Sequence, residues 1–119
     1  MTIQIGDIFY ARVAYTEDPS NSSRRPVIVI DELEDNLLLL ISTTSKGIRK
    51  PPTYHDQFKI PIKNWRKAGF TKPSWCRGKI LIQMPKYEAE SLINEKSYIG
   101  KIPPHDLNYI LEELEKLNK

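Results

Sequence analysis

Apolar positions in this chain fall into short runs divided by polar, proline-bearing stretches, a pattern that predicts a mainly β protein. "DIFYARVAY", Asp7 to Tyr15, follows a Gly-Asp turn signal and is rich in aromatic and β-branched residues, which predicts a first strand. "TEDPSNSSRR", residues 16–25, has the composition of a flexible connection. "PVIVI" then has no polar side chain on either face, so a strand central in its sheet is expected, with Pro26 at its first position because it cannot donate a ladder hydrogen bond. After the acidic turn "DELEDN", the run "LLLLISTTS" predicts a third strand that pairs back on the second as a hairpin.

Downstream, "KGIRKPPTYHDQ" reads as a long cationic loop, "FKIPI" as a short strand and "KNWRKAGF" as a turn of helix ending at Gly69. "SWCRGKILIQM" predicts a strand in which Gly78 marks a bulge. A short helix over "KYEAESLI" and a last strand over "SYIGKI" precede the clearest element. There Leu107, Ile110, Leu111, Leu114 and Leu117 recur at helical spacing, with acids early and Lys116 and Lys119 late, as the helix dipole favours. Five or six short strands and a closing amphipathic helix predict a small, bent, partly closed β-barrel with helices on one side, in one domain spanning 1–119. Alternating crossover helices are missing, which argues against a doubly wound α/β fold.

Composition narrows the function classes. The 119 residues are 39% hydrophobic, enough for one core. No apolar run is long enough to span a bilayer and the first residues lack a basic leader, so a cytoplasmic protein is expected. The single Cys76 has no partner for an internal disulfide and reads as a small, half-buried strand residue. Dispersed carboxylates and two histidines predict no metal site and no cofactor, and no glycine-rich phosphate loop or nucleophile elbow is present. The net charge of +3 hides an asymmetry. Between Lys46 and Lys86 stand eleven lysines and arginines against one acid, Asp56. A third of the chain with one sign suits a polyanion, although the same residues would also keep loops in water.

One junction carries candidate chemistry. If the second and third strands are antiparallel neighbours, the start of one lies beside the end of the other, and Arg25 comes close to "STTS", Ser42 to Ser45. Strand alternation puts Ser42 and Thr44 on one face and Thr43 on the other. An always-charged planar fork beside hydroxyl donors suits a phosphate oxygen. RNA brings its own nucleophile in the 2′-hydroxyl, so such a site would need only to align it and stabilise charge on phosphorus. Spacing alone equally allows Arg25 to pair with an acid such as Asp7 or Asp31, and the hydroxyls simply to end a strand.

"GDI" opening a first strand, a polar loop, "RPVIVI" and a third strand ending in "TSKG" together resemble the MazF/PemK toxins of bacterial toxin-antitoxin systems. "NWRKAGFTKPS" followed by "RGKILIQMPK" is similar to a Gram-positive and phage-associated branch of that family. The resemblance covers nearly the whole chain and implies an SH3-like barrel of the plasmid-maintenance type. It also implies a homodimer, metal-independent cleavage of single-stranded RNA leaving a cyclic phosphate, and an antitoxin partner whose acidic tail occupies the RNA groove. The family's arginine before proline falls on Arg25. Its hydroxyl falls on Thr44 when anchored on "TSK" and on Ser42 when counted from the strand. Two positions depart from the pattern: Ser20 stands where many members carry an acid, and Arg77 where a glutamine is usual. Both departures bear on sequence preference and on catalytic strength.

With RNA as the expected ligand, the interleaving of aromatic and basic residues gains a reading, because single strands are held between phosphate contacts and stacking rings. Tyr54 and Trp75 are candidates for base contacts, with Arg24, Lys46, Arg49, Lys50, Arg77 and Lys79 steering the backbone. Phe58, Trp65 and Phe70 have the neighbours of core residues. His55 could move a proton near neutral pH, though beside Asp56 it also reads as a surface pair, and His105 reads as structural. The alternative is a catalytically inert barrel of the same family that binds nucleic acid or protein.

Overall fold

The computed structural model describes residues 2–15 and 18–117, with residues 13–15 and 18–23 by backbone alone. Six strands make one antiparallel sheet, β1 (Asp7–Tyr15), β2 (Asp18–Leu33), β3 (Leu37–Thr44), β4 (Lys59–Pro61), β5 (Trp75–Pro85) and β6 (Tyr98–Lys101), in the order β4-β5-β3-β2-β1-β6. Three α-helices accompany it, α1 (Trp65–Ala68), α2 (Lys86–Leu92) and α3 (Pro104–Leu117).

The segment expected as a flexible connection is a correction. Thr16 and Glu17 lie outside the described residues, but Asp18–Arg25 forms the outer half of β2, paired with β1 from Ile8↔Ile28 out to Tyr15↔Asp18. Ladder bonds are made by backbone groups, so a two-stranded ribbon tolerates the serines and asparagine that make the side chains look loop-like. The cationic loop is also shorter than expected, because Tyr54–Phe58 winds into a 3₁₀ turn before β4.

Alternate residues of β2 serve two apolar layers. Ile28 and Ile30 join Ile8, Ile41, Ile60 and Cys76 beneath Ile110 and Leu114 of α3. On the other face Val27 and Val29 join Phe9, Leu38 and Leu40 beneath Ala89 of α2 and the following Ile93. Helices therefore cover both faces rather than one. Each such side chain left in water would cost roughly 1.5–3 kcal/mol, which favours a cover on each side. Within α3, Ile110 and Leu114 are buried while Leu111 is 38% exposed and faces away from the core. Cys76 is fully buried, not half-buried, and burial pushes its thiol well above the usual range, so it stays protonated and unreactive.

Two features curl the sheet. Between Ile41↔Leu81 and Thr43↔Cys76 the β3–β5 register slips, so residues 77–80 bulge around Gly78, where a Cβ would lie 3.0 Å from the Phe58 carbonyl oxygen. At the edges, α1 follows β4 and packs against β6. Gly69 ends α1 in the left-handed region (φ 104°), and a Cβ there would lie 2.6 Å from the Ile99 carbonyl oxygen; a Cβ on Gly100 would collide with the Ala68 carbonyl. These glycines let α1 and β6 meet backbone to backbone, and through α1 the two edge strands β4 and β6 are drawn toward each other. No helix among the described residues is long and apolar enough to cross a membrane.

Candidate functional site

Strand β2 leaves β3 at a fork. The β2–β3 ladder runs from Leu33↔Leu37 to Val27↔Ser42 and ends there, after which β2 continues paired to β1 and β3 continues paired to β5. Pro26 accounts for the end of the ladder. Within a strand a residue's N–H and C=O point to the same side, and Pro26 offers its C=O toward β3 but has no N–H to go with it. Where the strands part, the Thr43 hydroxyl donates to the Pro26 carbonyl oxygen at 3.0 Å. Continuing the register past the fork brings Arg25 level with Thr44.

A cleft of about 470 Å³ opens at this fork. One part of its wall is Arg24, Arg25, Pro26, Thr43, Thr44 and Ser45. Another is the connection from α1 to β5, with Gly69, Phe70, Thr71, Lys72 and Ser74, and Tyr10, Tyr98 and Ile99 complete it. The Arg24 guanidinium lies 5.2 Å from the centre of the Tyr10 ring, within cation–π range. The Tyr98 hydroxyl donates to the buried carboxylate of Asp7 at 3.1 Å, and Asp7 also accepts the Gln4 N–H at 2.8 Å. Burial first, and the Asp7 charge second, push the Tyr98 phenol above its ordinary range, so it remains a donor. Asp31 is exposed and accepts the N–H of Glu32.

The hydroxyls at this end of β3, the two candidates Ser42 and Thr44 and Thr43 between them, are not equivalent. Thr43 spends its hydrogen on Pro26. Ser42, 4% exposed, is absent from the cleft wall. Thr44 lines the cleft and its oxygen accepts the Lys46 N–H at 3.1 Å, which leaves its own hydrogen to donate to a ligand.

The remaining expected residues gather elsewhere, around the connection from β3 to β4. Asp56, the lone acid of the basic stretch, is buried and accepts from three donors: the Thr53 N–H at 2.7 Å, the Arg49 N–H at 3.1 Å and the Lys59 ammonium at 2.7 Å. Lys59 in turn donates to the Gly47 carbonyl at 3.2 Å. The Lys59 ammonium, then the Thr53 and Arg49 amides, hold the Asp56 carboxyl far below the usual range. Lys46, Arg49 and Lys50 are exposed on this connection, and Trp75, half-buried, lies under Gly47. Tyr54 is 63% exposed, its ring edge-on to His55 and Phe58, with the Lys79 ammonium 4.7 Å from its centre. His55 and Trp75 are not part of the cleft wall, and neither is Arg77, a half-buried residue of the β5 bulge. His105 is exposed at the start of α3. The side chain of Ser20 is not described.

The structure thus brings together Arg24, Arg25 and Thr44 in the cleft, and Tyr54 and Lys79 outside it. Sequence reading missed Tyr10, Tyr98, Phe70 and Lys72 as wall residues. For Phe70 the signal was split, since its ring packs on the core while lining the cleft. Among the described residues no three His, Cys, Asp or Glu side chains cluster.

No family model matches the sequence, and no curated protein does. Solved structures do share its fold. In the MazE–MazF crystal structure from Deinococcus radiodurans, Form-II, a chain superimposes with a TM-score of 0.60 at 13% identity, covering 99% of this chain and 96% of that one. Form-III of the same complex gives 0.61 at 13% identity, with 99% and 97% covered. The chain has the MazF-like fold. At this identity the likeness concerns the fold, and function has to be argued from the cleft.

Proposed function

We propose that this protein is a MazF/PemK-type endoribonuclease, of the Gram-positive and phage-associated branch, that cleaves single-stranded RNA without a metal ion. The observation that carries the reading is the shared cleft of Arg25 and Thr44. A phosphate seated there is met by a planar cation and by a hydroxyl whose oxygen is already engaged with Lys46. The ribose O2′ attacks the adjacent phosphorus and gives up its proton to solvent; the P–O5′ bond breaks and O5′ takes up a proton. A 2′,3′-cyclic phosphate and a 5′-hydroxyl end result. Arg25 stabilises the charge that grows on the non-bridging oxygens and Thr44 donates to one of them.

Arg24 steers the strand into the cleft, and Lys46, Arg49, Lys50, Arg77 and Lys79 extend the cationic path, with Tyr54, His55 and Trp75 offered to bases. A homodimer and an antitoxin with an acidic tail follow from the same reading. The test uses purified protein and a single-stranded RNA in excess chelator, beside the same RNA carrying a 2′-deoxyribose at each cut position. Cleavage of the first and none of the second, lost in Arg25→Ala, is the expected result. RNA binding with no cleavage by the wild type would favour the inert barrel, and neither binding nor cleavage would overturn the reading.

A further inference from the structure

The α1–β5 connection reaches the cleft from a part of the chain remote from the Arg25–Thr44 fork, and it is held at both ends. At its start, the Phe70 N–H donates to the Trp65 carbonyl at 3.0 Å and the Gly69 N–H to the Arg66 carbonyl at 3.1 Å. At its end, the buried Ser74 donates its hydroxyl to the Lys72 carbonyl at 3.0 Å, while its own carbonyl accepts the Ile62 N–H at 3.0 Å. Between these anchors the half-buried Phe70 and the exposed Lys72 line the cleft. A wall fixed in this way reads shape and charge without first having to be ordered.

We infer that Phe70 and Lys72 receive the nucleobase next to the cleaved phosphate, the Phe70 ring packing on any base and the Lys72 ammonium selecting among them by donating to the base edge. An ammonium offers three donors and no acceptor, so it complements a base edge that presents only acceptors and is mismatched to one that presents an exocyclic amine. On the edge away from the sugar, uracil presents O4 and guanine O6 and N7 where cytosine and adenine carry amino groups, so uracil and guanine are the favoured classes there. A cleft of about 470 Å³ is of a size to take one such unit rather than a duplex.

The inference rests on the ribonuclease reading, and its experiment separates the two. Four RNA oligonucleotides differing only in the base beside the cut are compared by kcat/KM for wild type, Lys72→Ala, Lys72→Arg and Phe70→Leu, with Arg25→Ala as control and melting curves for each. The expected result is a wild-type preference of at least tenfold for uracil or guanine. Lys72→Ala should reduce that preference about tenfold, Lys72→Arg should keep it, and Phe70→Leu should weaken all four substrates through KM. Lys72 is exposed, so its variants test the point even if Phe70→Leu unfolds. An unchanged preference in Lys72→Ala, or an equal loss on all four oligonucleotides, overturns the inference while the ribonuclease reading stands. No cleavage by the wild type overturns both.

Discussion

At the fork, Arg25 stands on a strand fixed by its ladder to β1, beside a proline that ends the ladder to β3; between β3 and β4, the cations stand on backbone gathered around one buried carboxylate. The difference is one of means. Ladder hydrogen bonds hold the fork, and its Thr43 hydroxyl is committed to Pro26 while Thr44 lines the cleft. The Asp56 connection is held by charge, and its exposed Tyr54 already lies against Lys79 of β5. A cation–π contact at an exposed site is worth about 0.5–1 kcal/mol, small enough for a nucleobase to displace. In this account the fork supplies chemistry and the connection supplies grip.

Mutations that divide turnover from affinity sharpen that contrast. The largest effect is expected for Arg25→Ala, which should slow single-turnover cleavage at least a hundredfold, about 3 kcal/mol of transition-state stabilisation, with little change in RNA affinity. Tyr54→Ala should do the reverse, weakening the binding of a long single strand by about tenfold, as loss of one stacking platform does, at an unchanged saturated rate. If Tyr54→Ala instead lowered the saturated rate as far as Arg25→Ala, the two regions would not be separate in function.

A smaller effect is expected from Asp56→Ala, measured as a several-fold rise in protease nicking within residues 46–58 while the cleft residues keep their protection. Its pH dependence has a defined sign. The folded-state carboxyl lies below its unfolded value, so its contribution is complete above about pH 4 and is lost as pH falls through the folded value. Nicking of the wild type should be flat from pH 8 to 5 and rise only in stronger acid, a limb the variant should lack. Smallest of all, Lys50→Gln and Lys79→Gln should each flatten the dependence of log affinity on log salt by about 0.7, without moving the cut sites.

Much of the fold was legible because period and punctuation agreed. β1 matched its predicted bounds, Gly69 ended α1, and α3 showed its stripe at Ile110 and Leu114. The outer half of β2 was not, since serine and asparagine carry turn signals in their side chains while the pairing that orders Asp18–Arg25 is made by backbone. At the site, the nearness of Arg25 to the hydroxyl run followed from antiparallel order alone. Which hydroxyl lines the cleft and keeps its hydrogen did not, because it depends on how β2 and β3 part and on the Thr43 bond to the Pro26 carbonyl. Phe70, Lys72 and Tyr98 were beyond reach, because the packing of Gly69 on Ile99 joins segments some thirty residues apart and no local pattern records it.

The central claim, that Arg25 and Thr44 act on one phosphate, is tested most directly by a double-mutant cycle on the single-turnover cleavage rate with Arg25→Ala, Thr44→Val and the pair. Two groups on one charge should couple, and the account predicts that the double variant falls short of the sum of the single losses by on the order of 1 kcal/mol or more. Losses that add within about 0.3–0.5 kcal/mol would place the two residues on separate tasks and contradict it.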